Sequence, residues 1–486
     1  MNRSIRAFAV VVMVLFIAMV AQLTNLQMVQ AARFKHDPRN TRQAVADFSH
    51  PRGPVQTSDG VVVAQSVPSN DIFKWQRVYP TKSLFAFVTG YLSFRYGASG
   101  VEQTYTDELA GRNLPIRASD LSHLLDESQR TATVTLTLSN KLQQAATDAL
   151  GPNVGAVVAL DPRDGSVLAL VSQPSYDPNE LAVHDPKAEQ QGFNSLIADA
   201  GQPMLPRAYR QSYAPGSTFK VVTTSALLDK RPDLATKNYP VNTALTLPQT
   251  KNQLHNFGGE SCGGALPDLF RVSCDTGFGA VGLDLGATTL AAEANGFGFN
   301  QIPPLDLTGV FRSTFPPASF FAQRQPLLAF SAIGQNDVSA TPLQMALVAA
   351  GIANHGTIMA PHVMKEVRDS SGALVRTFAP RPWLTATPPA VADTVKSFMV
   401  SVVQGGTGTA VALPGVQVAA KTGTAEVDSS HTNAWMIAFA PADNPTIAVA
   451  AVLPGLTGVG NEVTGGVRAA PIVRAVLASF LGIPVR

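Results

Sequence analysis

The sequence predicts a mixed α/β fold of the α+β kind, with one sheet built from both ends of a long segment. Three observations predict it. Strand-like apolar runs stand early, at Val134–Leu138, Gly155–Leu160 and Ser166–Val171, and again late, at Val416–Thr424, Ala434–Phe439 and Thr446–Val452. The sequence between them is helix-rich, so early and late strands close one sheet under helical cover. With 486 residues, 45% of them apolar, the chain holds two or three domains of about 100–200 residues each.

Composition removes several classes of function. Charged residues are only 14%, and 36 basic against 34 acidic side chains leave a net charge of +2. That excludes a disordered, charge-rich chain and offers no basic footprint for nucleic acid. Two cysteines, Cys262 and Cys274, are too few for a disulfide scaffold or a Cys-rich metal cluster. The eight histidines have no metal-ligand spacing. No solenoid-length repeat is present.

The chain opens on an unbroken apolar run, Ala7–Ala21, preceded by Arg3 and Arg6. About 20 residues of helix span a hydrocarbon core of about 30 Å, so Arg6–Leu26 suffices if Gln22, Thr24 and Asn25 sit at the interface. The two arginines hold the N-terminus in the cytoplasm and place the rest outside. An uncleaved single-pass anchor is the expectation; a cleaved signal peptide, with Ala18 or Ala21 near the cut, is the rival.

Between Ala32 and about Thr133 the composition is mixed. Pro51-Arg52-Gly53-Pro54, Ser58-Asp59-Gly60 and Pro68-Ser69-Asn70 signal turns, with a short strand at Val61–Ala64. Gly111 to Arg130 is polar and reads as a connector. After the alternating strand Val134–Leu138, Ser139 is placed to cap a helix through Leu142 and Ala146 that Gly151-Pro152 stops. Gly155–Leu160 and Ser166–Val171, joined by Asp161-Pro-Arg-Asp-Gly165, read as a β-hairpin. The last helix is Ala470–Leu481, with Pro471 in its first turn, where proline is tolerated.

Chemistry concentrates in three places. In Tyr213-Ala-Pro-Gly-Ser217-Thr-Phe-Lys220, a Pro-Gly turn opens a helix, with Ser217 near its N-terminus and Lys220 one turn on along the same face. Lysine can deprotonate a serine only if its pKa falls well below about 10.4, and burial and a nearby cation push that way. On these residues alone, a helix cap and a solvated lysine are the simpler reading. Lys421-Thr422-Gly423-Thr424 ends an apolar strand, where the glycine admits close backbone approach and Lys421 and the threonines suit a carboxylate. Between them, Ser273-Cys274-Asp275 follows a glycine-rich loop. The three occur in order, 56 and 148 residues apart. Ser-x-x-Lys, a Ser-x-Asn-type triplet and Lys-Thr-Gly are the signature of penicillin-binding proteins and class A β-lactamases.

On these motifs the sequence resembles the class B penicillin-binding proteins, the actinobacterial A-type branch in particular. The resemblance extends through Arg52-Gly53, Gly100-Val101-Glu102 with Tyr105, Gly155–Pro174, Ile333-Gly-Gln335, Thr341–Met345, Gly405–Gly408, Ala434-Trp435, Ala440-Pro441 and Ala469–Pro471. It implies a serine β-lactamase/transpeptidase-like domain with a mainly antiparallel sheet between helical layers. Its expected layout is residues 1–30 as cytoplasmic tail and anchor, 31–133 as a small non-catalytic domain, and 134–486 as the transpeptidase domain. It implies a serine-type D-Ala-D-Ala transpeptidase, with carboxypeptidase activity on the side, that cross-links peptidoglycan stem peptides outside the plasma membrane. β-Lactams are then covalent inhibitors, a polytopic membrane glycosyltransferase is a partner, and no cofactor or metal is expected.

Carried over residue by residue, Ser217 is the nucleophile, Lys220 its base, and Ser273 a relay to the leaving amine. The main-chain N–H groups of Ser217 and Thr424 form an oxyanion hole, and Lys421, Thr422 and Thr424 hold the terminal carboxylate, with Gly423 between them. Asp275 departs from the pattern, since the family's second motif usually ends in Asn. An ionised carboxylate only accepts hydrogen bonds, and pairing with Lys220 raises the lysine's pKa, the wrong direction for a base. Because the surrounding motifs are intact, tolerance of Asp275 is expected; a weakened scaffold, or a β-lactamase or β-lactam sensor, is the alternative. Cys262 and Cys274 can pair in an oxidising exterior, bracing the loop to Ser273, or remain free thiols. Gly405–Gly408 is read as a turn; Glu426 and Asp428 can face the cleft beyond the third strand, but a solvated turn is the preferred reading.

Overall fold

The computed structural model describes residues 2–26, 48–112, 114, 131–458 and 461–484. They form two compact units, residues 1–51 with 67–76 and residues 52–66 with 77–486. The start of the small domain expected at residue 31 and most of the connector expected at 111–130 lie outside the described residues.

The first unit contains helix α1, Asn2–Thr24. Its Arg3–Thr24 portion has a mean hydropathy of 2.5 and is not buried at all. At 1.5 Å per residue its 22 residues rise about 33 Å, enough to cross a bilayer core of about 30 Å.

In the second unit, a sheet carries β1 (Val55–Gln56), the Val62–Ser66 part of β2 (Val62–Pro68), β3 (Ala132–Leu136), β6 (Met364–Asp369) and β7 (Leu374–Thr377), neighbouring in the order β7-β6-β3-β1-β2. β1 lies parallel to β3, with Val55 opposite Val134, whereas β6 runs antiparallel to β3. The domain division expected between Thr133 and Val134 therefore falls inside β3. Beside this sheet Glu102 is wholly buried and held by Arg77 and, at 3.0 Å, by Arg52. A buried carboxylate persists only when paired in this way, and the pairing joins two of the stretches on which the family resemblance rests.

The second sheet positions the site. Its strands are β4 (Gly155–Leu160), β5 (Val167–Gln173), β8 (Ala419–Glu426), β9 (His431–Ala440) and β10 (Ile447–Thr457), in the order β8-β9-β10-β4-β5. Every neighbouring pair is antiparallel. Early and late strands meet where β10 lies against β4, Ala450 opposite Val158, as the sequence predicts, but the Val134–Leu138 run expected beside them lies in the other sheet, largely as β3. These strands read as continuous apolar runs because both faces are covered. Val157, Ala159, Val449 and Met436 pack into one core with helices α2 (Asn140–Leu150) and α7 (Ala470–Leu481). Val158, Leu160, Ala450 and Ile437 pack into the other with α5 (Pro342–Ala353). All twelve residues of α5 are buried, so its sequence is apolar all round. Ser139 caps α2, its side chain accepting from the Leu142 N–H. β8 is the edge strand of this sheet, and the site is built on it.

Candidate active site

The site forms where three segments meet on β8. Ser217 lies in a short 3₁₀ turn, Gly216–Phe219, that runs directly into helix α3 (Lys220–Lys230). Gly216 has a φ of +53°, and a Cβ there would sit 2.6 Å from the Thr424 carbonyl oxygen. Gly423 meets the same turn from the other side, since its Cβ would lie 2.7 Å from the Pro215 carbonyl oxygen. Only glycine at both positions lets strand and turn approach this closely. Trp435 Nε1–H, from β9, donates to the Ala214 carbonyl at 2.9 Å and fixes the turn's entry.

The third segment is the start of helix α4 (Asp275–Leu285). Ser273, just before it, adopts φ 61°. A disulfide joins Cys262 to Cys274, with Cα atoms 5.7 Å apart, tying the preceding loop to the residue between Ser273 and Asp275. Asn256 adds a second tie. Its Oδ1 accepts from the Thr276 N–H at 2.8 Å, while its Nδ2 donates to the carbonyls of Asn242 and Glu260 at 2.8 and 2.9 Å.

Polar contacts converge on Ser273 and Asp275. Lys220 Nζ donates to Asp275 Oδ1 at 2.7 Å, to the Ser273 carbonyl at 2.7 Å and to Ser273 Oγ at 3.3 Å. Lys421 Nζ donates to the same Ser273 Oγ at 2.8 Å and to the Thr422 carbonyl at 3.1 Å. Asp275 Oδ2 accepts from the Phe257 N–H at 3.2 Å. Ser217 Oγ stands 3.5 Å from Asp275 Oδ1, too long for a strong O–H···O bond. Ser217 and Lys220 share no hydrogen bond among the described residues; Asp275 stands between them.

Both lysines are fully buried, Lys220 over the Phe278 ring and Lys421 over the Phe270 ring, 5.3 and 5.6 Å from their centroids. Burial lowers the Lys220 pKa, against the opposing pull of the Asp275 charge and hydrogen bond. Burial lowers that of Lys421 well below its ordinary value, and the charge of Lys220 adds to the effect. The sequence reading set burial and a nearby cation, which lower the Lys220 pKa, against pairing with Asp275, which raises it. Asp275 does pull that way, but removing the ammonium from water outweighs it.

Above the lysines opens a cleft of about 1340 Å³, lined by Ser217, Ser273, Asp275, Thr422, Thr424 and Glu426 among others. Lys421, read from sequence as offering its charge to a substrate, does not line the cleft. It is fully buried, its Nζ turned to Ser273 Oγ and the Thr422 carbonyl. Thr407 also lines the cleft and exchanges a hydrogen bond with the Thr422 hydroxyl at 2.6 Å. Thr407 and Asn256 escaped the sequence reading, and Glu426 was taken for a solvated turn although it closes β8 at the cleft. The only available signals were that Thr407 lies in the Gly405–Gly408 turn and that Glu426 stands two residues after Thr424. Among the described residues no group of three His, Cys, Asp or Glu side chains could hold a metal.

Residues 155–478 match the penicillin binding protein transpeptidase domain family, and residues 52–134 match the penicillin binding protein A dimerisation domain. The chain belongs to the penicillin-binding protein transpeptidase family. It is 40% identical to the peptidoglycan D,D-transpeptidase PbpA of Mycolicibacterium smegmatis, over 99% of each chain. To the protein of that name from Mycobacterium tuberculosis it is 38% identical over the same shares. Solved structures agree. Penicillin-binding protein A from M. tuberculosis as its imipenem acyl-enzyme complex superposes with a TM-score of 0.82 at 36% identity, covering 90% of this chain and 100% of that one. Its penicillin G acyl-enzyme complex gives 0.81 at 36% identity, covering 89% and 100%.

Proposed function

We propose that this protein is a peptidoglycan D,D-transpeptidase that works through an acyl-enzyme on Ser217 and is inactivated covalently by β-lactams. The observation that carries the proposal is the double engagement of Ser273 Oγ by two buried lysines, Lys220 and Lys421, in the site where the Ser217 turn meets an edge strand. Burial lowers the Lys220 pKa, the direction in which an amine must move to serve as a base.

In the first half-reaction neutral Lys220 takes the proton of Ser217, and Oγ attacks the carbonyl of the penultimate D-Ala. Main-chain N–H groups of Ser217 and Thr424 face the developing oxyanion, an interaction commonly worth about 3–4 kcal/mol. Ser273 accepts from both lysines, so its own hydroxyl proton is free to point into the cleft. It passes to the departing amine as the C–N bond breaks, and Lys220 replaces it; free D-Ala leaves and a serine ester remains. The Thr422 and Thr424 hydroxyls hold the terminal carboxylate at the cleft wall, with the buried Lys421 supplying field rather than direct contact. In the second half-reaction an acceptor amine attacks the ester, its proton returns through the same groups, and Ser217 is regenerated with a new peptide cross-link.

Residues 134–486 act as the transpeptidase domain and 31–133 as a non-catalytic domain in this reading. Helix α1, with Arg3 and Arg6 at its start, anchors the chain with its catalytic part outside the cytoplasm. The family resemblance supports a polytopic glycosyltransferase in the same membrane as the partner that supplies glycan strands. The test is release of D-Ala from an Nα-blocked stem pentapeptide, with and without an added amine acceptor. D-Ala release together with an amide-linked product, both abolished by penicillin, is the expected result. A folded protein that releases none contradicts the proposal.

A further inference from the structure

Glu426 ends β8, is exposed, and lines the same cleft as Thr422 and Thr424. Alternate residues of a strand share a face and lie about 6.8 Å apart, so Thr422, Thr424 and Glu426 form one row along the cleft wall. Among the described residues Glu426 has no ion-pair partner, and the arginine that lines the cleft, Arg271, is engaged elsewhere. Arg271 donates to the Gly405 carbonyl at 3.0 Å and stands 3.6 Å from Asp268. The row therefore has a direction, from the Thr422 and Thr424 hydroxyls to the Glu426 carboxylate.

The transpeptidase reading, on which this inference rests, fixes how a peptide lies along the row. Its terminal carboxylate belongs at Thr422, and its scissile carbonyl at Ser217, whose turn abuts the main chain of Thr424. An extended peptide advances about 3.4 Å per residue. The residue preceding the terminal dipeptide then falls beyond Thr424, within side-chain reach of Glu426. We propose that Glu426 is a specificity-determining residue that takes a cationic, amine-bearing side chain of the donor peptide at that position. The ammonium of a diamino acid meets the carboxylate there and sets the register of the scissile bond.

The test compares acylation by Nα-acetyl-Lys-D-Ala-D-Ala and by Nα,Nε-diacetyl-Lys-D-Ala-D-Ala, each read as slowed labelling by a fluorescent penicillin and as D-Ala release. The wild type is expected to favour the free amine by about threefold to fivefold, chiefly in KM, as for a partly exposed ion pair. Glu426→Gln brings the ratio near one, and Glu426→Lys inverts it. A ratio unchanged in Glu426→Gln, or equal losses on both peptides, overturns the proposal. A variant that alters only the acceptor amine's step also overturns it, by assigning the carboxylate to the acceptor. If the wild type is acylated by neither peptide, the transpeptidase reading fails first, and the proposal falls with it.

Discussion

Lys220 Nζ lies 2.7 Å from Asp275 Oδ1, inside a site that holds a second buried ammonium, Lys421. The carboxylate is thus the countercharge for two lysines, and its own proximity to Ser217 Oγ, 3.5 Å, places it between nucleophile and base. Burial lowers the Lys220 pKa and Asp275 raises it, with burial the larger.

Replacing Asp275 by Asn removes the raising influence and leaves burial. The Lys220 pKa falls further, the neutral amine exists at lower pH, and the ascending limb of the acylation rate moves to lower pH by about one unit. Stopped-flow acylation by a chromogenic β-lactam across pH measures it. A limb that stays in place, or moves up, shows that Lys220 is not the titrating base.

Gly423→Ala puts a methyl group 2.7 Å from the Pro215 carbonyl oxygen and 2.8 Å from Thr218 Cγ2. Overpacking of this kind costs about 1–3 kcal/mol, and here it pushes the Ser217 turn off the strand. Thermal unfolding and acylation rate should both fall, acylation by at least about tenfold. Acylation unchanged alongside lowered stability would detach the turn's position from the chemistry.

The described cysteines are both in the disulfide. Unreduced protein in denaturant should titrate no thiols, and Cys262→Ser with Cys274→Ser should cost about 3 kcal/mol by the loop-entropy argument. Two titratable thiols contradict the bridge.

Glu293 is buried, with Oε1 lacking a hydrogen-bond partner among the described residues, and burial beside Asp229 pushes its pKa up to about 8. A carboxyl raised in the folded state stabilises fully below its unfolded value and loses that contribution as pH rises. The window runs from the ordinary 4.5 to about 8, and the loss is roughly 3–5 kcal/mol. Glu293→Gln cannot ionise, so denaturant unfolding should show a flatter pH dependence than the wild type, with the variant relatively more stable at pH 8 than at pH 5. Parallel curves would mean that Glu293 is ionised in the fold.

Much of the architecture was legible because the elements carry their own signals. The β4–β5 hairpin reads from apolar runs that both cores bury, α2 from its Ser139 cap, and α7 from Pro471 and its apolar face. Ser217, Lys220, Ser273 and Lys421 were legible as motifs, and the fold gathers them from a turn, two helix starts and one edge strand. The electrostatics were not, since a lysine's environment depends on chain remote in sequence: Phe278 and Phe270 cover the two ammonium groups. Asn256 and Thr407 were missed, and Glu426 was set down as a solvated turn, for a related reason. Each is ordinary in its local sequence and acquires a place only when α4, the Gly405–Gly408 turn and β8 close around the cleft.

The most direct test of the account is intact-protein and peptide mass spectrometry after brief exposure to penicillin G. The account predicts a single adduct, carried by the peptide containing Ser217, persisting for many minutes and absent from folded Ser217→Ala. An adduct on another residue, an undiminished adduct in Ser217→Ala, or no adduct on a folded wild-type protein would contradict it.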